Sequence, residues 1–306
     1  MKNIVQKVSI PFCGVMLGTA ALGNLLQSYS EGVRYVCGLF SAFLLILVLL
    51  KLVLFPEKVK EDMSNPILAS VAGTFPMALM ILSTYVKPFI GRAAFYIWML
   101  AIILHVILII YFTVKFIVKL QMPKVFASYY IVYVGIVTAS VTAPAYEKTG
   151  IGSAIFWFGF VSLLILFILV TYRYLKFKEI PEPAQALVCI YAAPTSLCIA
   201  GYVQSVAWKS KAFLLGMLAA ATILYIFALV KAISFLKFPF YPSMAAFTFP
   251  FVISAIATKQ TMACLANMGS PVPALKTAVL VETGIAVALV AYTYVRFMMA
   301  LFGGKK

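Results

Sequence analysis

The sequence is short of charge, and above all of acid. Of its 306 residues only 10% are charged and only 8 are Asp or Glu, where about 25% charged is usual for a soluble domain. Polar side chains must cover a soluble surface, so this chain, 64% hydrophobic, cannot stay in water as a monomer. A single histidine makes a histidine-based triad or an intramembrane metalloprotease pair hard to build. The five cysteines, Cys13, Cys37, Cys189, Cys198 and Cys264, have no CxxC spacing and lie in or beside apolar runs. They read as small packing residues rather than a disulfide framework or a metal site. Alternation of apolar and polar residues is missing too, which excludes a transmembrane β-barrel.

What the sequence has instead is long apolar runs, and each is a helix. A membrane-crossing helix needs about 20 apolar residues. Runs separated by polar punctuation fall at 8–27, 32–55, 65–86, 92–120, 125–145, 150–176, 184–206, 211–236, 240–264 and 275–302. The reading is an all-α integral membrane protein with ten transmembrane helices, residues 1–306 forming a single transmembrane domain. The first run follows Lys2 and Lys7 as a signal peptide would, but Pro11, Gly14 and Gly18 interrupt it, so it is read as a retained span. Only about seven residues precede it, which leaves no cytosolic tail of the kind a kinase would regulate.

The net charge of +16 does not point to nucleic acid, because the basic residues stand singly at the ends of apolar runs and no basic stripe with stacking aromatics occurs. Their partner is the lipid bilayer. Sixteen Lys and Arg, from Lys2 to Lys306, lie at the termini and in the connections after even-numbered runs; eight lie on the other side. That excess places both termini in the cytoplasm of a multi-pass protein of the cell inner (plasma) membrane. Trp98, Trp157 and Trp208 then sit near the outer ends of their helices, where an interfacial belt belongs.

The prolines divide the runs into two kinds. Seven of 15 lie in odd-numbered runs (Pro11, Pro66, Pro76, Pro144, Pro194, Pro242 and Pro250), the other eight, Pro88 among them, in connections, and none in an even-numbered run. Odd runs also carry small and hydroxyl residues, whereas even runs are mostly aliphatic. Interrupted helices survive in a bilayer where neighbours or water satisfy the freed backbone groups. The alternation therefore suggests five helical hairpins, with an inner ring of five kinked helices around a central pore and an outer ring of five. Gly14-x-x-x-Gly18 also fits a helix-packing motif.

Chemistry-bearing residues are few. His105, between Leu104 and Val106, reads as a neutral hydrogen-bonded packing residue. Glu282 is the acidic residue within the spans, and an intramembrane carboxyl is a candidate for proton coupling; the alternative is pairing with Lys259, Lys276 or a hydroxyl. Inner helices without charge in their central portions argue against a cation pump and leave anions as the permeant species. No cofactor or metal is called for, and no enzyme.

Several motifs carry a resemblance. The stretch from Pro11 to Leu22, Asn65 and Pro66 with Pro76, Ala193 with Pro194, and the run Ala246, Phe247, Thr248, Phe249, Pro250 resemble inner-helix motifs of the tellurite-resistance/dicarboxylate transporter family, which includes bacterial TehA and the plant guard-cell slow anion channels. The match covers most of the chain in helix order. It implies ten helices in five hairpins, a pore in each subunit, a homotrimer, and a phenylalanine gate on the ninth helix at Phe249 rather than Phe247. It places helix kinks at Gly14, Pro76, Gly135 and Pro194. Pro250 departs from the bacterial pattern, which has glycine there. The expected function is an anion channel or channel-like permease passing small inorganic or organic anions; the alternative is a proton-coupled carrier of C4-dicarboxylates or of tellurite- or sulfite-type oxyanions.

Overall fold

Long aliphatic runs without internal proline fold as long helices, and the even-numbered runs do so, two of them from a serine cap. The computed structural model describes residues 2–303. Lys305 and Lys306, two of the charges in the orientation argument, lie outside the described residues. In chain order the α-helices are α1 (Lys2–Lys7), α2 (Phe12–Leu26), α3 (Glu31–Leu54), α4 (Pro56–Asp62), α5 (Pro66–Val71), α6 (Thr74–Ile90), α7 (Ala93–Phe112), α8 (Tyr129–Tyr133), α9 (Thr138–Thr142), α10 (Thr149–Lys176), α11 (Glu182–Gln185), α12 (Ala193–Ser205), α13 (Lys211–Phe235), α14 (Phe249–Asn267) and α15 (Ala274–Phe302). No strand occurs among the described residues. The Ser30 hydroxyl accepts from Val33 N–H at 3.4 Å to start α3, and Ser210 does the same for Phe213 at 3.3 Å to start α13.

The odd-numbered runs are broken instead. The first passes from α1 through residues 8–11 into α2. The third breaks at Ala72 and Gly73 between α5 and α6, and the fifth is divided into α8, a 3-10 turn at Gly135–Val137, α9 and a second 3-10 turn at Ala143–Tyr146. The seventh joins α11 to α12 through a 3-10 stretch, Ala186–Ala192, and the ninth reaches α14 through another, Pro242–Phe247. Most prolines of these runs sit where a helical piece begins: Pro66, Pro194, Pro242 and Pro250 in the first two positions, Pro76 in the third. A missing N–H costs least there, so they mark restarts rather than bends in a continuous helix. Pro88 differs from expectation, because α6 runs on to Ile90 and contains it.

Eight stretches are long and apolar enough to cross a membrane: Glu31–Leu54, Pro66–Ile90, Ala93–Ile117, Thr149–Lys176, Glu182–Ser205, Lys211–Phe235, Pro242–Asn267 and Ala274–Phe302. The two other expected runs fall short as single helices. Run 8–27 is cut at Pro11 and gives the 15-residue α2, which continues unbroken through Gly14 and Gly18, and run 125–145 gives only short pieces, interrupted at Gly135 and Pro144. Burial separates the two kinds of run. The most apolar window of Glu182–Ser205 is 94% buried and those of Pro66–Ile90 and Pro242–Asn267 are 67% buried, against 28–39% for the five even-run helices.

Without a hydrophobic force between helices in lipid, close packing and hydrogen bonds hold them together. Helix α2 illustrates this. A Cβ at Gly23 would stand 2.9 Å from Cys37 Cβ, while Tyr85 donates to Ala20 O at 2.6 Å and Ser41 to Met16 O at 2.9 Å. Helix α2 packs on α6 and α14, α14 on α12, α12 on α9, and α9 on α6. The even-run helices lie against this set, α3 on α2, α7 on α6, α10 on α12, α13 on α12 and α15 on α14. Lys7 Nζ donates to Gly303 O at 3.2 Å, so the two described ends share one face. Trp98 departs from the expected belt. It is fully buried and donates to Thr142 Oγ1 at 2.8 Å, leaving Trp157 and Trp208 exposed.

Candidate functional site

Where the odd-numbered runs break, they leave space. A cavity of about 400 Å³ lies among them, lined by residues of all five. Along each run the last residues to reach it are Leu17, Met77, Gly135, Leu197 and Pro250, and Phe249 stands beside Pro250 at this far end. The connection before the seventh run contributes Pro181 and Pro183, which the sequence reading had not connected with the site.

The lining carries no Asp, Glu, Lys, Arg or His; its polar members include Asn65, Thr74, Tyr130 and Ser243. Four helices begin at the cavity wall, since Gly14 of α2, Thr74 of α6, Ala193 of α12 and Phe249 of α14 all line it in their first turn. A helix N-terminus carries roughly half a positive charge, so the walls favour anions without a fixed cation that would hold one tightly. Cations near the ends of the runs are satisfied by neutral oxygens. Lys259 Nζ donates to Leu25 O at 3.0 Å and to Ser28 Oγ, Lys87 to Ala145 O, and Arg173 to Pro123 O at 3.1 Å. The one ion pair among the described residues joins Arg34 to Glu31 at 3.6 Å. The protein's positive charge is thus largely left uncompensated.

The break before α14 fixes Phe249. Thr248 has φ −97° and ψ −94°, outside helical values. Its hydroxyl lies 2.7 Å from Ala245 O and 3.1 Å from Gly14 O, tying the break to α2. Gly18 provides the clearance, because a Cβ there would stand 2.8 Å from Phe249 N. Pro250 occupies the first turn of α14, where it disturbs no helical hydrogen bond. Phe247 ends the 3-10 stretch, is fully buried and does not line the cavity. Because Thr248 is not helical, that separation arises from the break and not from a turn of continuous helix.

The structure brings Gly14, Gly135, Pro194, Phe249 and Pro250 together around the cavity. Gly18 lies behind Phe249, and Pro76 stands between the lining residues Thr74 and Met77 without lining the cavity itself. Glu282 is elsewhere, in a separate pocket among α12, α13, α14 and α15. Neither Lys259 nor Lys276 pairs with it. His105 is fully buried on α7, with Nε2 2.9 Å from Val132 O just before the break at Gly135, as a hydrogen-bonded packing residue would be. All five cysteines are buried and unbridged. The Thr248 tether was missed from sequence, although a threonine between Phe247 and Phe249 and flanked by Pro242 and Pro250 was the available signal.

These features define a class, a multi-pass helical membrane protein with an uncharged interior cavity bounded by helix N-termini. The chain belongs to the voltage-dependent anion channel family, which it matches over residues 7–298 and which covers the relatives its motifs resemble. It is a membrane anion channel or transporter. No individual curated protein matches it.

Proposed function

We propose that the protein is a passive anion channel, in which small anions cross through the cavity and Phe249 is the gate. The observation that carries this reading is the uncharged cavity lined by all five broken runs, with Phe249 at its far end. Tight binding would trap an anion, whereas helix dipoles and distant lysines favour its arrival and still let it leave. Glu282 lies outside the cavity, so the path itself has no carboxyl to couple proton and anion movement.

In the same reading the chain crosses the membrane ten times, with α2 and the α8–α9 segment completing the eight long stretches. The mutual packing of α2, α6, α9, α12 and α14 supports an inner ring of five, and the low burial of the even-run helices supports an outer ring facing lipid. Gly14, Gly135, Pro194 and Pro250 line the path, while Gly18 and Pro76 shape the backbone beside it. Both termini are cytoplasmic in the cell's inner membrane, and three chains assemble with one path each, as the resemblance to the tellurite-resistance family implies. The test is the reversal potential of current through the reconstituted protein under an anion gradient, with pH equal on both sides. A passive anion path holds it near the anion's equilibrium potential.

A further inference from the structure

A carboxyl group is buried in this protein away from the cavity. Glu282 on α15 is only 8% exposed and shares a narrow pocket with Ser196 of α12, Thr222 and Tyr225 of α13, and Ser254 and Thr258 of α14. The pocket has no room for a water molecule. Two buried polar atoms in it lack a partner, Glu282 Oε2 and the Tyr225 hydroxyl oxygen, whose residue is 6% exposed. An ionised carboxylate only accepts and a tyrosine hydroxyl donates, so the pocket holds a hydrogen bond that is not made.

Hydroxyls on α14 connect this pocket to the cavity wall. Thr258 Oγ1 donates to Ser254 O at 3.1 Å, and Ser254 Oγ donates to Pro250 O at 2.9 Å, with Ser196 Oγ at 3.1 Å and Ala192 O at 3.2 Å. Pro250 lines the cavity. Thr258 follows Phe249 by nine residues, about 900° of helix rotation, so the two project from opposite sides of α14. A pull on Thr258 away from the cavity draws Phe249 in the same direction.

Nothing else charged faces the pocket. Lys259 of α14 is turned to Leu25 O and Ser28, and Lys7 of α1 reaches the far end of α15 at Gly303 O. Helix α2 and the stretch Pro242–Phe247, which also pack on α15, bear no Asp, Glu, Lys, Arg or His. The thiols of Cys13, Cys198 and Cys264 do not line the pocket, and from α13 Tyr225 is the titratable group that does.

We propose that Glu282 is a proton-binding site that controls the opening of the anion path from behind the gate helix. Ionised, the carboxylate gathers the Tyr225 and Thr258 hydroxyl protons, draws the outer side of α14 toward α13 and α15, and withdraws Phe249 from the cavity. Protonated by uptake of one proton from water, it releases both hydroxyls and Phe249 returns. The proton acts on the gate and does not travel with the anion. This inference rests on the assignment of Phe249 as the gate.

One charge-assisted hydrogen bond made in only one of two states shifts their balance about tenfold or more. Chloride flux should therefore be measured in liposomes carrying the wild-type protein, Glu282→Gln, Tyr225→Phe or Phe249→Ala. The pH is equal on both sides and varied over about 4.5 to 9, the range in which protein carboxyl groups titrate. Wild-type flux should rise about tenfold with pH, Glu282→Gln should stay at the low-pH value throughout, and Tyr225→Phe should show a smaller rise. Tyr225→Phe, which changes no charge, carries the test if the glutamine variant fails to assemble. Phe249→Ala should conduct strongly at every pH. If Phe249→Ala raises flux but wild-type flux ignores pH, or the Glu282→Gln and Tyr225→Phe proteins keep the full rise, the proton site is wrong and the gate stands. If Phe249→Ala leaves flux unchanged, the gate assignment fails and the proton site falls with it.

Discussion

Replacing Phe249 with alanine removes an aromatic ring from the far end of the cavity, and the structure sets both its benefit to conduction and its cost to folding. A hydrogen bond to a charged group contributes about 1.5 to 3 kcal/mol, and a ring in the path denies the anion at least one such bond to water. Each 1.4 kcal/mol is about tenfold in rate, so Phe249→Ala should raise anion flux by roughly 10- to 100-fold. A core Phe→Ala change costs about 3 to 5 kcal/mol because it leaves a closed hole. Phe249 borders a cavity of about 400 Å³ that already exists, so its truncation enlarges a space rather than creating one, and the cost should fall below about 3 kcal/mol. Phe247, fully buried and off the cavity, is the control. Phe247→Ala should lose the full about 3 to 5 kcal/mol and conduct no better. The assay is chloride efflux from liposomes, normalised to the amount of protein incorporated. Unchanged efflux in Phe249→Ala at equal incorporation would refute the reasoning and leave Phe249 as ordinary packing.

Two further predictions concern what surrounds the gate. In Gly18→Ala the new Cβ meets Phe249 N at 2.8 Å, a backbone atom that cannot swing away, so thermal unfolding in detergent should show a loss of about 1 to 3 kcal/mol. Gly150→Ala, with open space around it, should show none. Reporter fusions at Lys60 and Lys148 should read cytoplasmic and external respectively; a same-side result would overturn the ten-crossing topology.

Much of this architecture could be read from the placement of proline and small residues. Seven prolines in odd-numbered runs marked the helices that the structure buries and breaks, and the aliphatic run from Leu44 to Leu50 marked one that it leaves mostly unburied. Composition reports environment well because lipid and protein interior select different side chains. It reports geometry less well. The fifth run has the length of a span but folds as short pieces, since Gly135 and Pro144 interrupt local hydrogen bonding in a way that hydropathy does not register. Trp98 read as interfacial because tryptophan favours that zone, yet a partner on another run, Thr142, holds it inside. The cavity lining and the pocket around Glu282 depend on which helices meet, and residues such as Ser196, Tyr225 and Glu282 are too far apart in sequence for their spacing to reveal it.

The central claim, that anions cross passively, is tested most directly by recording current across a planar bilayer with a tenfold chloride gradient and equal pH on both sides. A passive anion path gives a reversal potential close to the chloride equilibrium value, about 59 mV in magnitude, that stays in place when a proton gradient is imposed. A reversal potential near the cation equilibrium value, or one that moves with the proton gradient, would contradict it.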